Sequence, residues 1–225
     1  MNLILEYYTP SNEHRDKEYL SCIRENITSK FFKSINIFVE EGSKLPDDIS
    51  SKVNIYNGKR NTFQDLFNYC NTNFQGEVCF IINTDIFFDA TIKYINTNNL
   101  KDKFMALTRW DILKDGKARF FDNSSNIAYF SQDVWGFVSP ISIDDANFYL
   151  GKPGCDNKIS YLANKAGLSP RNPSLGIKAY HLHLTGYRTY IPGGKDTVPG
   201  PYLGIKPTEN INRDTQYARL GDQRG

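Results

Sequence analysis

The sequence has no C-x-x-C pair, no glycine-rich phosphate loop, and no apolar run near the roughly 18–20 residues that a membrane-spanning helix requires. Its four cysteines, Cys22, Cys70, Cys79 and Cys155, stand apart, which argues against a zinc knuckle or a thioredoxin-type redox site. They are expected to be small buried hydrophobes in a reducing compartment. The lone glycine of Asn57-Gly58-Lys59 matches neither GxGxxG nor GxxxxGK, so dinucleotide-binding and P-loop readings have no support. Charge of one sign is also scarce. Lys plus Arg total 27 against 25 for Asp plus Glu, and a net charge of +2 gives no general field for nucleic acid or an anionic membrane. Any polyanion must be held locally. The start, Met1 to Glu6, lacks the layout of a signal peptide, so a soluble, cytoplasmic product is expected and the Asn-x-Ser/Thr matches at Asn26 and Asn123 are read as accidental.

What the chain does have is aromatic bulk. Fifteen Phe, 14 Tyr and 2 Trp among 225 residues suffice for a sizeable core, and the length suits one large domain. Strand candidates alternate with amphipathic segments, the pattern of a mostly parallel sheet with helices on its faces. Strands are expected at Leu3–Tyr8, Ile35–Val39, Val53–Tyr56, Val78–Ile82, Phe104–Leu107, Val134–Val138 and Ile177–His183. Helical spacing runs through Leu20, Ile23 and Ile27, and through Phe63, Leu66, Phe67, Cys70 and Phe74, where Thr62 and Asp65 form a capping pattern. A short helix is expected at Thr91–Ile95, and a last one at Asn157–Ala166 with Asp156 as its cap and Gly167 as its stop. Residues 1–191 are thus expected to form the domain, and 192–225 a Gly- and Pro-rich loop with a mobile tail.

In such sheets ligands gather beyond the carboxyl ends of the strands. Asp85 follows the apolar run Val78–Ile82 and stands where a rigid strand would present a carboxylate to a divalent cation, or where it would simply form a turn. Lys59 and Arg60 precede a helix N-terminus, which favours a phosphate, although solvated surface cations would look the same. Asp156 either caps its helix or presents a carboxylate to a cleft. His181 and His183, two residues apart on a strand candidate, point the same way, and one of them is a candidate metal ligand.

The order of five segments adds to this. Asn83-Thr84-Asp85-Ile86-Phe87-Phe88-Asp89, Thr108-Arg109-Trp110-Asp111, Ser131-Gln132-Asp133-Val134-Trp135, Gly154-Cys155-Asp156-Asn157, and Asn172-Pro173-Ser174-Leu175 leading to Tyr180-His181-Leu182-His183 follow one another as in small bacterial and viral GT-A-fold glycosyltransferases. Over roughly residues 1–191 the chain resembles that family. The resemblance implies a single GT-A-like, Rossmann-like α/β domain with a central mixed, mostly parallel sheet flanked by helices. It implies hexosyl or deoxyhexosyl transfer from a nucleotide diphosphate sugar, UDP-sugar first, to a glycan or glycoconjugate hydroxyl, with Mn2+ or Mg2+ as cofactor and no nucleic-acid partner.

Residue by residue, the resemblance puts Asn83-Thr84-Asp85 where the family has its DXD metal motif, with Asn in place of the first carboxylate. Thr9, Arg60 and Thr62 would face the nucleotide, and His183 would reach the metal or diphosphate. Arg109, Asp111 and Asp133 would surround the donor sugar and acceptor. Asp156 would be the base of an inverting reaction, with Asp133 in reserve. A glycoside hydrolase, which needs only paired carboxylates, and a noncatalytic nucleotide-sugar or carbohydrate-binding domain are the rival readings. The aromatic stretch Tyr187–Tyr202, with Tyr190, would stack on an acceptor sugar or close the fold.

Overall fold

The computed structural model describes residues 1–121, 127–187 and 194–220; Asn123 and Tyr190 lie outside them. The chain begins with β1 (Asn2–Tyr7), α1 (Glu13–Thr28), β2 (Ser34–Glu40), α2 (Asp47–Ser50), β3 (Asn54–Gly58), α3 (Phe63–Asn73) and β4 (Val78–Ile82). It continues through β5 (Ile86–Phe88), α4 (Thr97–Leu100), β6 (Lys103–Leu107), β7 (Trp110–Ile112), β8 (Ala118–Phe120), β9 (Val134–Val138), α5 (Cys155–Lys165), β10 (Ser169–Arg171), β11 (Ala179–His181), β12 (Tyr202–Ile205) and β13 (Tyr217–Leu220).

Seven strands form the main sheet in the order β10-β6-β9-β4-β1-β2-β3, all parallel to their neighbours except β9. Alternation along each strand builds a core on either face. Leu3, Leu5 and Tyr7 pack with Tyr19, Leu20 and Ile23 of α1, whereas Ile4 packs with Phe63, Leu66, Phe67 and Cys70 of α3. β4 divides likewise, Val78, Phe80 and Ile82 to the first core and Cys79 and Ile81 to the second, which is why its apolar run is unbroken. The chain moves outward from β1 to β2 and β3, then returns to place β4 on the other side of β1. That reversal opens a crevice at the carboxyl ends of β1 and β4.

A second sheet, β5-β11-β7-β8, stands beyond those ends and aligns His181 with both Ile86 and Asp111. The expected capping box on α3 forms, with the Thr62 hydroxyl and the Asp65 side chain bonding each other's backbone N–H. All four cysteines are buried and unbridged. Among the described residues no helix is long and apolar enough to cross a membrane.

Several expectations need correction. The segment around Thr91 is a 3₁₀ turn, Ala90–Tyr94, capped by Asp89, and Phe74 ends α3 as its C-cap. The helix after Gly154 starts two residues early. Gly154 is its N-cap at φ +81°, a conformation costly for a side chain, so Asp156 sits in the first turn and not at the cap. β11 stops at His181, leaving His183 on the loop beyond it. Part of the stretch expected as loop and tail pairs into β12 and β13, with Leu203, Ile205 and Ile211 buried, so burial of a few apolar residues outweighs its Gly and Pro content.

Gly136 shows how closely β9 fits between β4 and β6. A Cβ there would lie 2.6 Å from Phe80 Cε1 and 3.0 Å from Met105 Cε. Gly136→Ala is expected to lower stability by about 1–3 kcal/mol, read as a lower denaturant midpoint in urea unfolding; an unchanged midpoint would mean that the two faces are less tightly packed than described.

Candidate active site

A cavity of about 370 Å³ opens at the carboxyl ends of β1 and β4. Glu6 and Tyr8 border it from β1 and the residue beyond, and Asn83, Thr84 and Asp85 from the end of β4. Arg60 enters from the loop after β3 and Lys152 from the loop before α5. Arg109 and Asp133 close a third side, and His181 and His183 a fourth.

Asp85 is the centre of charge. Its Oδ2 accepts hydrogen bonds from Arg15 Nη2 and from His181 Nε2, the latter at 3.1 Å, and its buried Oδ1 has no partner among the described residues. Burial alone would raise this carboxyl, but His181 and Arg15 outweigh it and hold Asp85 well below the usual carboxylate range. His181 spans two carboxylates, with Nδ1 2.8 Å from Asp111. They overcome the effect of burial and push its pKa up to about 9, so it is an imidazolium at neutral pH. His183 behaves oppositely. Burial and the Arg15 and His181 charges lower its pKa, and its Nε2 bonds the Tyr187 carbonyl at 2.8 Å, leaving a neutral ring with Nδ1 available.

Asp85, His181 and His183 present donor atoms within 4.8 Å of one another. One orphaned carboxylate oxygen and a neutral imidazole fit a divalent cation of the manganese or magnesium kind, while His181 spends its nitrogens on Asp85 and Asp111. Asn83 lies outside this cluster, its amide donating to Asp133 Oδ1 at 2.8 Å.

Arg109 gathers the next group. It donates to Asp111 at 2.9 Å, Asp133 at 3.0 Å and Ser131 at 3.1 Å, and its guanidinium covers the Phe121 ring. Asp156 stands behind Asp133 without bordering the cavity, and its carboxylate accepts the Gln132 N–H at 3.2 Å. Burial pushes the Asp156 carboxyl up to about 7, against the Gln132 N–H and helped by the Asp133 charge.

At the opposite end burial raises Glu6 to about 7 although the Asn61 N–H and the Arg60 charge oppose it. Arg60 lies 4.0 Å from Glu6 and 3.9 Å from Glu40, bonds the Leu150 carbonyl and stacks over Tyr149. Three residues expected here do not border the cavity. Thr62 is engaged in its capping box, Thr9 donates its N–H to Ser43, and Lys59 is exposed.

Arg15 and Glu18 were not foreseen as site residues. Both are buried on α1, at 4% and 8% exposure. Glu18 accepts from Arg15 at 2.7 Å and from Thr185 N at 2.8 Å, and Arg15 donates to the Leu182 carbonyl at 2.9 Å. The signal was present: Arg15, Glu18 and Cys22 share one stripe of the helix, so two charges lie on its core face. Glu6 had the same signal as Asp85, a carboxylate ending a buried strand.

The raised Asp156 and Glu6 carboxyls make one sign of pH dependence. The native state binds their protons more tightly than the unfolded chain, so their contribution is greatest below about pH 4 and is lost as pH rises to about 7. Asp156→Asn should therefore flatten the stability profile across that window, measured by urea unfolding at a series of pH values; an unchanged slope would place Asp156 in a more solvated setting.

No family model matches the chain, and no curated protein matches it. Among solved structures it is similar to the inositol-1-phosphate CTP transferase from T. maritima, at TM-score 0.47 and 10% identity, over 84% of this chain and 91% of that one. It is also similar to a protein named for nucleotide-diphospho-sugar transfer from Desulfovibrio desulfuricans G20, at TM-score 0.39 and 9% identity, over 76% and 78%. A third is a protein from Bacillus anthracis named for glucose-1-phosphate thymidylyl transfer, with bound sucrose, at TM-score 0.38 and 12% identity, over 76% and 86%. All three TM-scores lie below 0.5.

Proposed function

We propose that the chain is a metal-dependent glycosyltransferase that moves a sugar from a nucleotide diphosphate sugar, UDP-sugar first, to a hydroxyl of a glycan or glycoconjugate. The observation that carries this reading is Asp85. It is a buried carboxylate at the tip of a central strand with one oxygen unpartnered, beside a neutral imidazole and in a crevice bordered by Arg15, Arg60, Arg109 and Lys152. A rigid carboxylate and several cations at one strand end suit a ligand of high negative charge, such as a diphosphate.

A manganese or magnesium ion held by Asp85 and His183 would neutralise charge on the leaving diphosphate. Arg60 and Lys152 attract the same group from the far wall, and the His181 imidazolium keeps Asp85 ionised. Arg109, fixed between Asp111 and Asp133, offers its guanidinium to sugar hydroxyls. Asp133, at the cavity wall, takes the acceptor proton, and Asp156, which does not border the cavity, acts through it by its charge; attack from that side inverts the anomeric centre. Hydrolysis by a carboxyl pair fits less well, because Asp85 is held ionised by Arg15 and His181 and has no proton to give a leaving group.

The test is a thermal-shift panel of UDP, GDP and dTDP, each with and without Mn2+, since a ligand that binds only the native state raises its apparent stability. A metal-dependent rise of several degrees for one nucleotide is expected, with its metal-dependent part lost in Asp85→Asn. Asp133→Asn and Asp156→Asn should keep that rise yet lose at least about 100-fold in turnover. Absence of any nucleotide shift would overturn the proposal.

A further inference from the structure

A second cavity of about 340 Å³ adjoins the first and shares Arg109, His181 and His183 with it. The sheet register explains its charge. Asp111 of β7 pairs with His181 of β11 on one side and with Arg119 of β8 on the other, so the three residues form one row across the second sheet. The row starts beside Asp85 and ends at Arg119. In a sheet, a carboxylate directly opposite a guanidinium is its natural partner. Here Asp111 Oδ1 is already occupied by Arg109 Nε at 2.9 Å and His181 Nδ1 at 2.8 Å. Among the described residues Arg119 therefore has no carboxylate within ion-pair distance, and neither does Lys114 at the hairpin turn, although both border the cavity.

The remaining wall is apolar. Ile112, Leu113, Phe121 and the half-exposed Leu184 face the same space. Two exposed cations with no carboxylate partner among the described residues, beside an apolar floor and a carboxylate already held by Arg109 and His181, suit a ligand that joins an anionic group to a hydrocarbon surface, as the CH face of an acidic sugar does. The planar guanidinium can meet a carboxylate or phosphate with two parallel hydrogen bonds. The shared wall puts such a ligand next to the donor cavity.

We propose that this second cavity receives the acceptor, and that Arg119 and Lys114 select an acceptor sugar bearing a carboxylate or phosphate. The proposal rests on the glycosyl-transfer reading for the word acceptor, but the acidic-sugar site is testable without it.

The chain, with UDP and Mn2+ present at about 1 mM, the upper end of the usual range of substrate constants, to fill the first cavity, is titrated by calorimetry with glucuronate, glucose 6-phosphate and methyl glucoside. At least one acidic sugar is expected to bind at least tenfold more tightly than methyl glucoside, and to weaken as salt is raised. Glucuronate against glucose 6-phosphate separates carboxylate from phosphate recognition. In Lys114→Glu/Arg119→Glu the acidic sugar should lose at least tenfold in affinity while the UDP–Mn2+ thermal shift stays at its wild-type value, which also shows that the variant folds. Equal binding of acidic and neutral sugars, or acidic-sugar binding unchanged by the charge reversal, would overturn the proposal. A wild-type chain that shows no nucleotide shift but binds acidic sugars through Arg119 would instead sink the transfer reading and leave the acidic-sugar site standing.

Discussion

A guanidinium buried on the first helix against a carboxylate at the tip of the central strand is the interaction around which the site is arranged. Arg15 and Asp85 have almost no contact with water, and removing one partner of such a pair typically costs about 3–5 kcal/mol. Each is therefore bound to the other and to further groups. Arg15 holds Glu18 and the Leu182 carbonyl, and Asp85 holds His181, which in turn holds Asp111. The outcome is one continuous chain of charges from α1 through β4 to the second sheet. One oxygen of Asp85 is left out of it, and that omission gives the site its chemical interest.

The fold makes this arrangement affordable. Because α1 and α3 cover opposite faces of the sheet, the crevice at the carboxyl ends of β1 and β4 is flanked by two filled cores, and its carboxylates stand on or just beyond closely packed strands. Glu6 and Asp85 are comparable in that sense, one at the penultimate residue of β1 and the other three residues beyond β4. They are driven in opposite directions. Glu6 has backbone and amide donors and a distant arginine, so burial dominates and raises its pKa to about 7, whereas Asp85 has two direct cationic donors and stays ionised. Two carboxyls at one crevice are thus shifted in opposite directions, one by burial and the other by its cationic partners.

Local pattern sufficed for most of the sheet and for α1, α3 and α5, since their apolar residues repeat at the periods that helices and buried strands demand. It also drew attention to Asp85, three residues past an unbroken apolar run, which the structure places at the crevice between Arg15 and His181. It failed where a side chain's partner is distant in sequence. Thr62 looked available to a ligand until its hydroxyl was found closing the capping box that the same pattern had indicated. Asp156 looked like a helix cap because the left-handed turn at Gly154 is invisible to propensity. Arg15 and Glu18 were passed over as ordinary helix charges, and their partners at Leu182 and Thr185 lie 167 residues away. The strands at Tyr202–Ile205 and Tyr217–Leu220 were hidden by the Gly and Pro around them.

The pairing of Arg15 with Glu18 one helical turn away has a bearing on synthesis. A chain emerges from the ribosome at roughly 5–20 residues per second, so about 10–30 s separate these two charges from Thr185, 167 residues later. Throughout that interval the arginine and glutamate can neutralise each other on the nascent helix. Asp85 arrives 70 residues after Arg15, and the His183 segment comes last. The pair is local to one helical turn, whereas the other partners of both side chains lie 70 to 167 residues away, so α1 holds a counter-ion of its own that does not depend on them.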